Sequence, residues 1–131
     1  MSIDCVGDFL TVIRNATHVS KTSVLIAHSN VRFAIAMLLK QEGFIKEVSI
    51  EDIGNNKKII KIMLKYVDGE SVIHEIKRVS TPGCRMYASI RDVKPVIGGI
   101  GVSILTTSRG VLTHKQAKKL NVGGEVICTI W

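Results

Sequence analysis

The sequence predicts an α+β fold in two contacting lobes. Three observations support this: helical and strand periodicities alternate through the first half, short extended runs separated by turn residues fill the second, and no repeat, low-complexity tract or long linker parts them. The expected boundary lies at Asp68, with residues 1–67 forming an α-β-α-β-β lobe and residues 68–131 a mostly antiparallel β lobe with one short helix. A chain of 131 residues, 46% hydrophobic and 22% charged, buries about two-thirds of its unfolded surface and needs no covalent staples.

Each element has a local reason. Ser2 can cap a first helix whose apolar positions Ile3, Val6, Leu10, Ile13 and Thr17 recur at helical spacing. Asp4 and Asp8 stand toward its positive end and Arg14 toward its negative end. Ser23–His28, with Val24, Leu25 and Ile26, reads as a strand. Ser29 caps a second helix over Asn30–Glu42, which Gly43 ends. Phe44–Ile53 reads as a strand with Phe44 or Ile45, Val48, Ile50 and Ile53 as apolar positions; Gly54-Asn55-Asn56 is a turn, and Lys58–Val67 is the next strand. Asp68-Gly69 signals a hairpin into a return strand over Glu70–Val79. Ser80-Thr81-Pro82-Gly83 breaks that strand, Arg85–Ile90 is a shorter one, and Pro95 with glycines 98, 99 and 101 makes an irregular connection. Val102–Thr106 is extended, Thr107-Ser108-Arg109-Gly110 is a polar turn, and Val111-Leu112 resumes the strand. Thr113 with Gln116 forms a capping-box pattern opening a helix to Leu120. Gly123-Gly124 ends that region and Glu125–Trp131 is the final strand.

Several classes are excluded by composition. Enough Val, Ile and Leu are present to offset chain entropy, which argues against disorder. The longest apolar stretches, such as Phe33–Leu39, fall far short of the ~20 residues of a membrane span. Acids at Asp4 and Asp8 stand where a signal peptide carries bases, so the protein is expected to stay where it is made. Cys5, Cys84 and Cys128 are odd in number and far apart, with no short-spaced Cys or His pair for zinc, and are expected to be small buried hydrophobes in a reducing compartment. His18, His28, His74 and His114 are scattered and read as surface or strand residues. No metal or cofactor is expected. Gly98-Gly99-Ile100-Gly101 lacks the third glycine of a dinucleotide loop and the lysine of a phosphate loop. The carboxylates offer no acid/base pair, so catalysis is not expected; an enzyme using Cys84 beside Arg85 stands as one alternative.

Charge points elsewhere. Eighteen Lys and Arg against eleven Asp and Glu leave +7, and from Lys77 to Lys119 nine bases face the single acid Asp92, for +8. So one-sided a stretch inside a folded region suggests a polyanion, with nucleic acid ahead of an anionic membrane surface. A protein-interaction module whose basic face meets an acidic partner is the second alternative. Aromatic content of 5% is too low for a stacking platform on single strands. Hydroxyls and cations in glycine-punctuated loops are present instead. Thr106-Thr107-Ser108-Arg109-Gly110 puts three hydroxyls and a guanidinium in five residues, and Ser80-Thr81-Pro82-Gly83-Cys84-Arg85 with Tyr87 offers a second set. Hydroxyls donate and accept, which suits 2′-OH groups, phosphate oxygens and base edges in the shallow minor groove of structured RNA.

The run Ile104-Leu105-Thr106-Thr107-Ser108-Arg109-Gly110-Val111-Leu112-Thr113, followed by Asn121-Val122-Gly123-Gly124-Glu125-Val126-Ile127-Cys128, resembles the small-subunit ribosomal protein S-eight family of bacterial or organellar type. The resemblance extends in order through Asp8-Phe9-Leu10, Ile13-Arg14-Asn15-Ala16, Gln41-Glu42-Gly43-Phe44-Ile45, Arg78-Val79-Ser80, Pro82-Gly83 and Arg85-Met86-Tyr87. It implies the family's two-lobed fold and primary binding to a helical element in the central domain of small-subunit ribosomal RNA. It also implies a role in subunit assembly beside neighbouring small-subunit proteins, no membrane partner, a place in the cytoplasmic or organellar ribosome, and in some members repression of a ribosomal-protein messenger. By that resemblance Thr106, Thr107, Ser108 and Arg109, with Gly110, would enter the minor groove of an irregular helix. Tyr87 and Glu125 would support the loop, Arg85 and Ser80 would lie nearby, and Ser29 and Arg32 would touch backbone on another segment. The sequence departs from the family at Thr81, where Lys or Arg is usual before Pro-Gly, at Ala88, where a larger residue is common, and at Val12, which replaces a frequent Arg. The first and third departures remove phosphate partners.

Overall fold

The computed structural model describes residues 5–81, 83–88 and 101–131. The expected Ser2 cap with Ile3 and Asp4, the end of the Arg85–Ile90 strand, and the connection holding Pro95, Gly98 and Gly99 lie outside those residues. The chain divides into two compact units, one of Asp8–Ile73 and one of Met1–Gly7 with His74–Trp131. Helices and antiparallel sheets make up both, an α+β architecture.

Helix α1 (Cys5–His18), which belongs to the first unit from Asp8 onward, turns Phe9, Leu10, Ile13 and Ala16 into the core. That stripe lies close to the expected one, with Phe9 and Ala16 completing a helical face. Strand β1 (Ser23–Ala27) follows, then helix α2 (Asn30–Gln41), whose Ser29 side chain accepts from the Arg32 amide at 3.1 Å. Helix α2 buries Ile35, Ala36, Leu38 and Leu39. Strands β2 (Ile45–Gly54) and β3 (Lys57–Leu64) form a long hairpin, and the sheet order is β1-β3-β2 with Ile60 and Ile62 of the central strand fully buried. Beyond Val48 the β2 alternation ceases to report burial: Ile50 and Ile53 are 43% and 58% exposed, because the hairpin is solvated from Ser49 to Lys58. A second small hairpin pairs β4 (Tyr66–Val67) with β5 (Glu70–Ser71) across Asp68-Gly69.

The expected return strand over Glu70–Val79 is two strands. After β5 the amides of His74 and Glu75 both donate to the Trp131 carbonyl, at 2.6 and 2.8 Å, and the Trp131 amide donates back to Glu75 at 3.0 Å. Pairing with the end of the chain replaces the hairpin ladder, and β6 (Ile76–Arg78) belongs to the other sheet. That sheet is organised on the last strand, β10 (Gly124–Ile130), which pairs β6 at one end, the short β7 (Tyr87–Ala88) at the other, and β8 (Val102–Thr107) along its opposite side. Strand β9 (Gly110–Thr113) closes the order β6-β10-β8-β9. Helix α3 (His114–Leu120) opens with the expected capping box: Gln116 donates its amide to Thr113 Oγ1 at 3.3 Å, and Gln116 Oε1 accepts from the Thr113 amide at 3.2 Å. Val102, Ile104, Leu105, Ala117, Ile127, Cys128 and Ile130 fill this core.

Truncating Ile104, which is fully buried on β8, removes packing that its neighbours cannot replace. Ile104→Ala is expected to lower the denaturant-unfolding free energy by about 2–5 kcal/mol, whereas Ile53→Ala changes it by about 0.5 kcal/mol at most.

Candidate nucleic-acid interface

The hydroxyl run forms the tip of the β8–β9 hairpin. Thr107 and Gly110 close it as register partners, leaving Ser108 and Arg109 as a two-residue turn. Neither turn residue takes a positive φ, so Gly110, at φ +104°, supplies the left-handed backbone that returns the chain to β9. Thr107 Oγ1 braces the turn by accepting from the Arg109 amide at 3.1 Å and donating to the Gly110 carbonyl at 2.9 Å. Thr106, Ser108 and Arg109 are exposed at this tip and Thr107 is half-exposed. Among the described residues no hydrogen bond within the protein occupies the hydroxyls of Thr106 and Ser108. Thr107 therefore shapes the hairpin, while its two neighbours present their oxygens outward.

Glu125 stands beside the base of the hairpin on β10. In register Glu125 stands between Thr106 of β8 and Tyr87 of β7, so the three side chains share one face of the sheet. Glu125 Oε1 accepts from Ser80 Oγ at 2.6 Å and from Arg85 Nη1 at 2.8 Å. Ser80 is fully buried, and its Oγ in turn accepts from the Met86 amide at 3.1 Å. The Arg78 Nε donates to the Ser80 carbonyl, and Met86 O accepts from the Val126 amide at 2.9 Å. The Ser80 hydroxyl, acting with the Arg85 and Arg78 guanidiniums and against partial burial, holds the Glu125 carboxyl below the usual carboxylate range. Tyr87, 70% exposed, offers its ring beside this cluster.

Gly124 makes the approach of β10 to the hydroxyl strand possible. A Cβ there would stand 2.1 Å from the Thr106 carbonyl oxygen and 3.1 Å from the Thr107 Cα, both backbone atoms with little room to move. Sequence reading took Gly123-Gly124 only as a terminator; the signal available was a glycine directly before a strand that begins with a charged residue. Met86 was also missed, because its contribution is made by backbone atoms.

Of the expected site residues, Thr106 to Gly110, Tyr87, Arg85, Ser80 and Glu125 belong to the second unit, and Ser29 and Arg32 to the first. Ser29 caps α2, and Arg32 Nη1 donates to the Ala27 carbonyl at 3.0 Å. Thr81 exchanges backbone bonds with Cys84, each 3.1 Å, and its Oγ1 accepts from the Cys84 amide at 3.2 Å, so it closes this loop. Cys84 is exposed there, contrary to its expected burial, because the loop carries it outside any strand. Cys128 is buried, and desolvation pushes its thiol up to about 12. Among the described residues no three His, Cys, Asp or Glu groups assemble a metal site, and no helix is long and apolar enough to cross a membrane. Lys115, Lys118 and Lys119 are exposed on α3.

Two predictions follow from the clamp. Gly124→Ala is expected to cost about 1–3 kcal/mol in thermal or denaturant unfolding, while Gly83→Ala, where a Cβ meets nothing within 4 Å, stays within about 0.5 kcal/mol. A depressed carboxyl stabilises the fold above its unfolded pKa, and that contribution is lost as pH falls through the folded value. Stability of the wild-type chain should therefore drop as pH falls below the ordinary value of 4.5, and Glu125→Gln should flatten that part of the profile.

Comparison with known proteins gives one family. The profile described as "Ribosomal protein S8" matches residues 4–131. The "Small ribosomal subunit protein uS8" of Lactobacillus helveticus is 46% identical over 129 residues, covering 98% of this chain and 97% of its own. The protein of the same name from Streptococcus equi subsp. zooepidemicus is 47% identical over the same shares, and that of Rhizobium etli is 44% identical over 128 residues, again covering 98% and 97%. With nearly its whole length matched at this identity, the chain belongs to the ribosomal protein S8 family.

Proposed function

We propose that this chain is a primary binder of a helical element in the central domain of small-subunit ribosomal RNA and assists assembly of that subunit. Family membership makes it a structural protein of the cytoplasmic ribosome and not an enzyme. The observation that carries the finer reading is the outward row of Thr106, Ser108 and Arg109 on a braced hairpin beside the exposed Tyr87. An RNA duplex shows a wide, shallow minor groove lined by 2′-OH groups and base edges, and a narrow two-residue turn carrying hydroxyls fits that surface. Each hydroxyl donates one hydrogen bond and accepts others, so Thr106 and Ser108 can read sugar and base edges together. The pair Arg85 and Glu125 neutralises itself across 2.8 Å and serves to hold the hairpin. Arg109 and the lysines of α3 supply phosphate attraction, which fixes register without reading sequence. Ser29 and Arg32 contact RNA backbone on another segment, neighbouring small-subunit proteins are further partners, and a ribosomal-protein messenger folding into the same irregular helix is a second ligand of the hairpin.

The mutants separate recognition from attraction. Thr106→Ala with Ser108→Ala, which leaves the Thr107 brace in place, is expected to weaken binding to central-domain RNA by about 1–3 kcal/mol, on the scale of one good base contact, and binding to unrelated duplex RNA far less. Equal losses on both RNAs would remove the hairpin from specific recognition. Lys118→Ala is expected to lower the salt slope of log K by about 1; an unchanged slope would clear Lys118 of phosphate contact.

A further inference from the structure

Strand β9 stops before β8 does. Their register runs from Thr107↔Gly110 to Ile104↔Thr113, and after Thr113 the chain leaves the sheet for α3. Ser103 is the next residue along β8. It is buried, and on its other side it stands opposite Thr129 of β10. Its amide therefore points to the place where a further residue of β9 would have stood. A buried amide without an acceptor is costly. His114 Nδ1 supplies the acceptor: the Ser103 amide donates to it at 3.2 Å. The first residue of α3 thus finishes the sheet with its side chain.

A ring nitrogen accepts a hydrogen bond only while it carries no proton, so His114 is neutral here, with its proton on Nε2. Helix α3 packs on β8 and β9. Neither strand, reading Val-Ser-Ile-Leu-Thr-Thr and Gly-Val-Leu-Thr, brings a titratable or charged side chain to the ring. The charges of α3 itself are Lys115, Lys118 and Lys119, and Lys118, four residues on, shares the ring's side of the helix. None of the three elements carries a carboxylate that could steady an imidazolium.

We infer that His114 is a proton-sensitive latch: neutral, it closes the open end of β8 and fixes the first turn of α3 to the sheet, and uptake of a proton from solvent releases both. A proton on Nδ1 sets one donor against another, the Ser103 amide, so the ring turns away and the amide loses its acceptor. The released ring takes the proton freely, and falling pH through the histidine range, about 8 to 5, therefore favours release. The capping bonds between Thr113 and Gln116 involve no titrating group and persist. What loosens is the seat of the helix on β8, not the helix. Because α3 carries Lys115, Lys118 and Lys119, that seat fixes where three cations stand. The latch does not rest on the reading of those lysines as RNA contacts.

Imidazole nitrogen NMR and hydrogen exchange of the Ser103 amide, both on the full chain, test the latch. At about pH 8 the His114 ring is expected as the Nε2–H tautomer, and a proton found on Nδ1 overturns the proposal. Between about pH 8 and pH 5.5 the Ser103 protection factor, corrected for intrinsic exchange, is expected to fall about tenfold, the worth of one hydrogen bond. His114→Asn sets an amide oxygen where Nδ1 stood, an acceptor that does not titrate, and is expected to keep the protection at both pH values. His114→Ala is expected to show the low protection at both. An equal fall in the wild type and in His114→Asn would assign the change to other groups and overturn the latch, as would no fall in the wild type. The tautomer is read on the wild-type chain, so a variant that folds poorly does not remove the test.

Discussion

Much of the second unit hangs on a single carboxylate. Glu125 Oε1 takes hydrogen bonds from Ser80 and Arg85 across sequence separations of 45 and 40 residues. That convergence ties the loop after β6 and the start of β7 to the strand that carries the hydroxyl hairpin on its other side. A half-buried carboxylate is stable there because the Ser80 hydroxyl, helped by the Arg85 and Arg78 guanidiniums, lowers the energy of its charged form by more than partial burial raises it. The neighbouring glycine completes the arrangement. Gly124 lets two backbones meet at a spacing that a side chain forbids, so the braced tip sits directly against the strand bearing the clamp.

This division of labour is what would let so few hydroxyls suffice in the proposed complex. Side chains that move freely lose entropy when they bind. Here Thr107 closes the turn with two hydrogen bonds of its own, and Gly110 fixes the return of the chain. The outward oxygens are therefore held on a rigid backbone before any ligand arrives. In the proposed RNA complex basic residues would contribute attraction over a longer range, while the neutral hydroxyls would supply the selectivity that attraction lacks.

Local features were legible in the sequence, and distant ones were not. The capping box of Thr113 and Gln116, the Ser29 cap and the Thr107–Gly110 turn each depend on residues within a few positions, so their chemistry shows in the letters. Glu125 and Ser80 are 45 residues apart, and no periodicity announces their bond; hydroxyl-rich loop chemistry pointed to Ser80, and resemblance alone put Glu125 on the site. Ile50 and Ile53 show a different limit. Alternating apolar residues report strand propensity, but whether anything covers them depends on how far the hairpin runs beyond its packing partners. Splitting of the Glu70–Val79 run had the same origin: the competing partner was the Trp131 carbonyl at the far end of the chain.

The central claim is that a braced hydroxyl hairpin recognises one irregular RNA helix beyond what a basic surface does. A salt-titrated competition between central-domain RNA and unrelated duplex RNA of equal length, using the full chain, tests it most directly. The account predicts a preference of at least ~100-fold that survives at physiological salt. Equal affinities for the two RNAs, both collapsing as salt rises, would contradict it and leave only the charge of the surface.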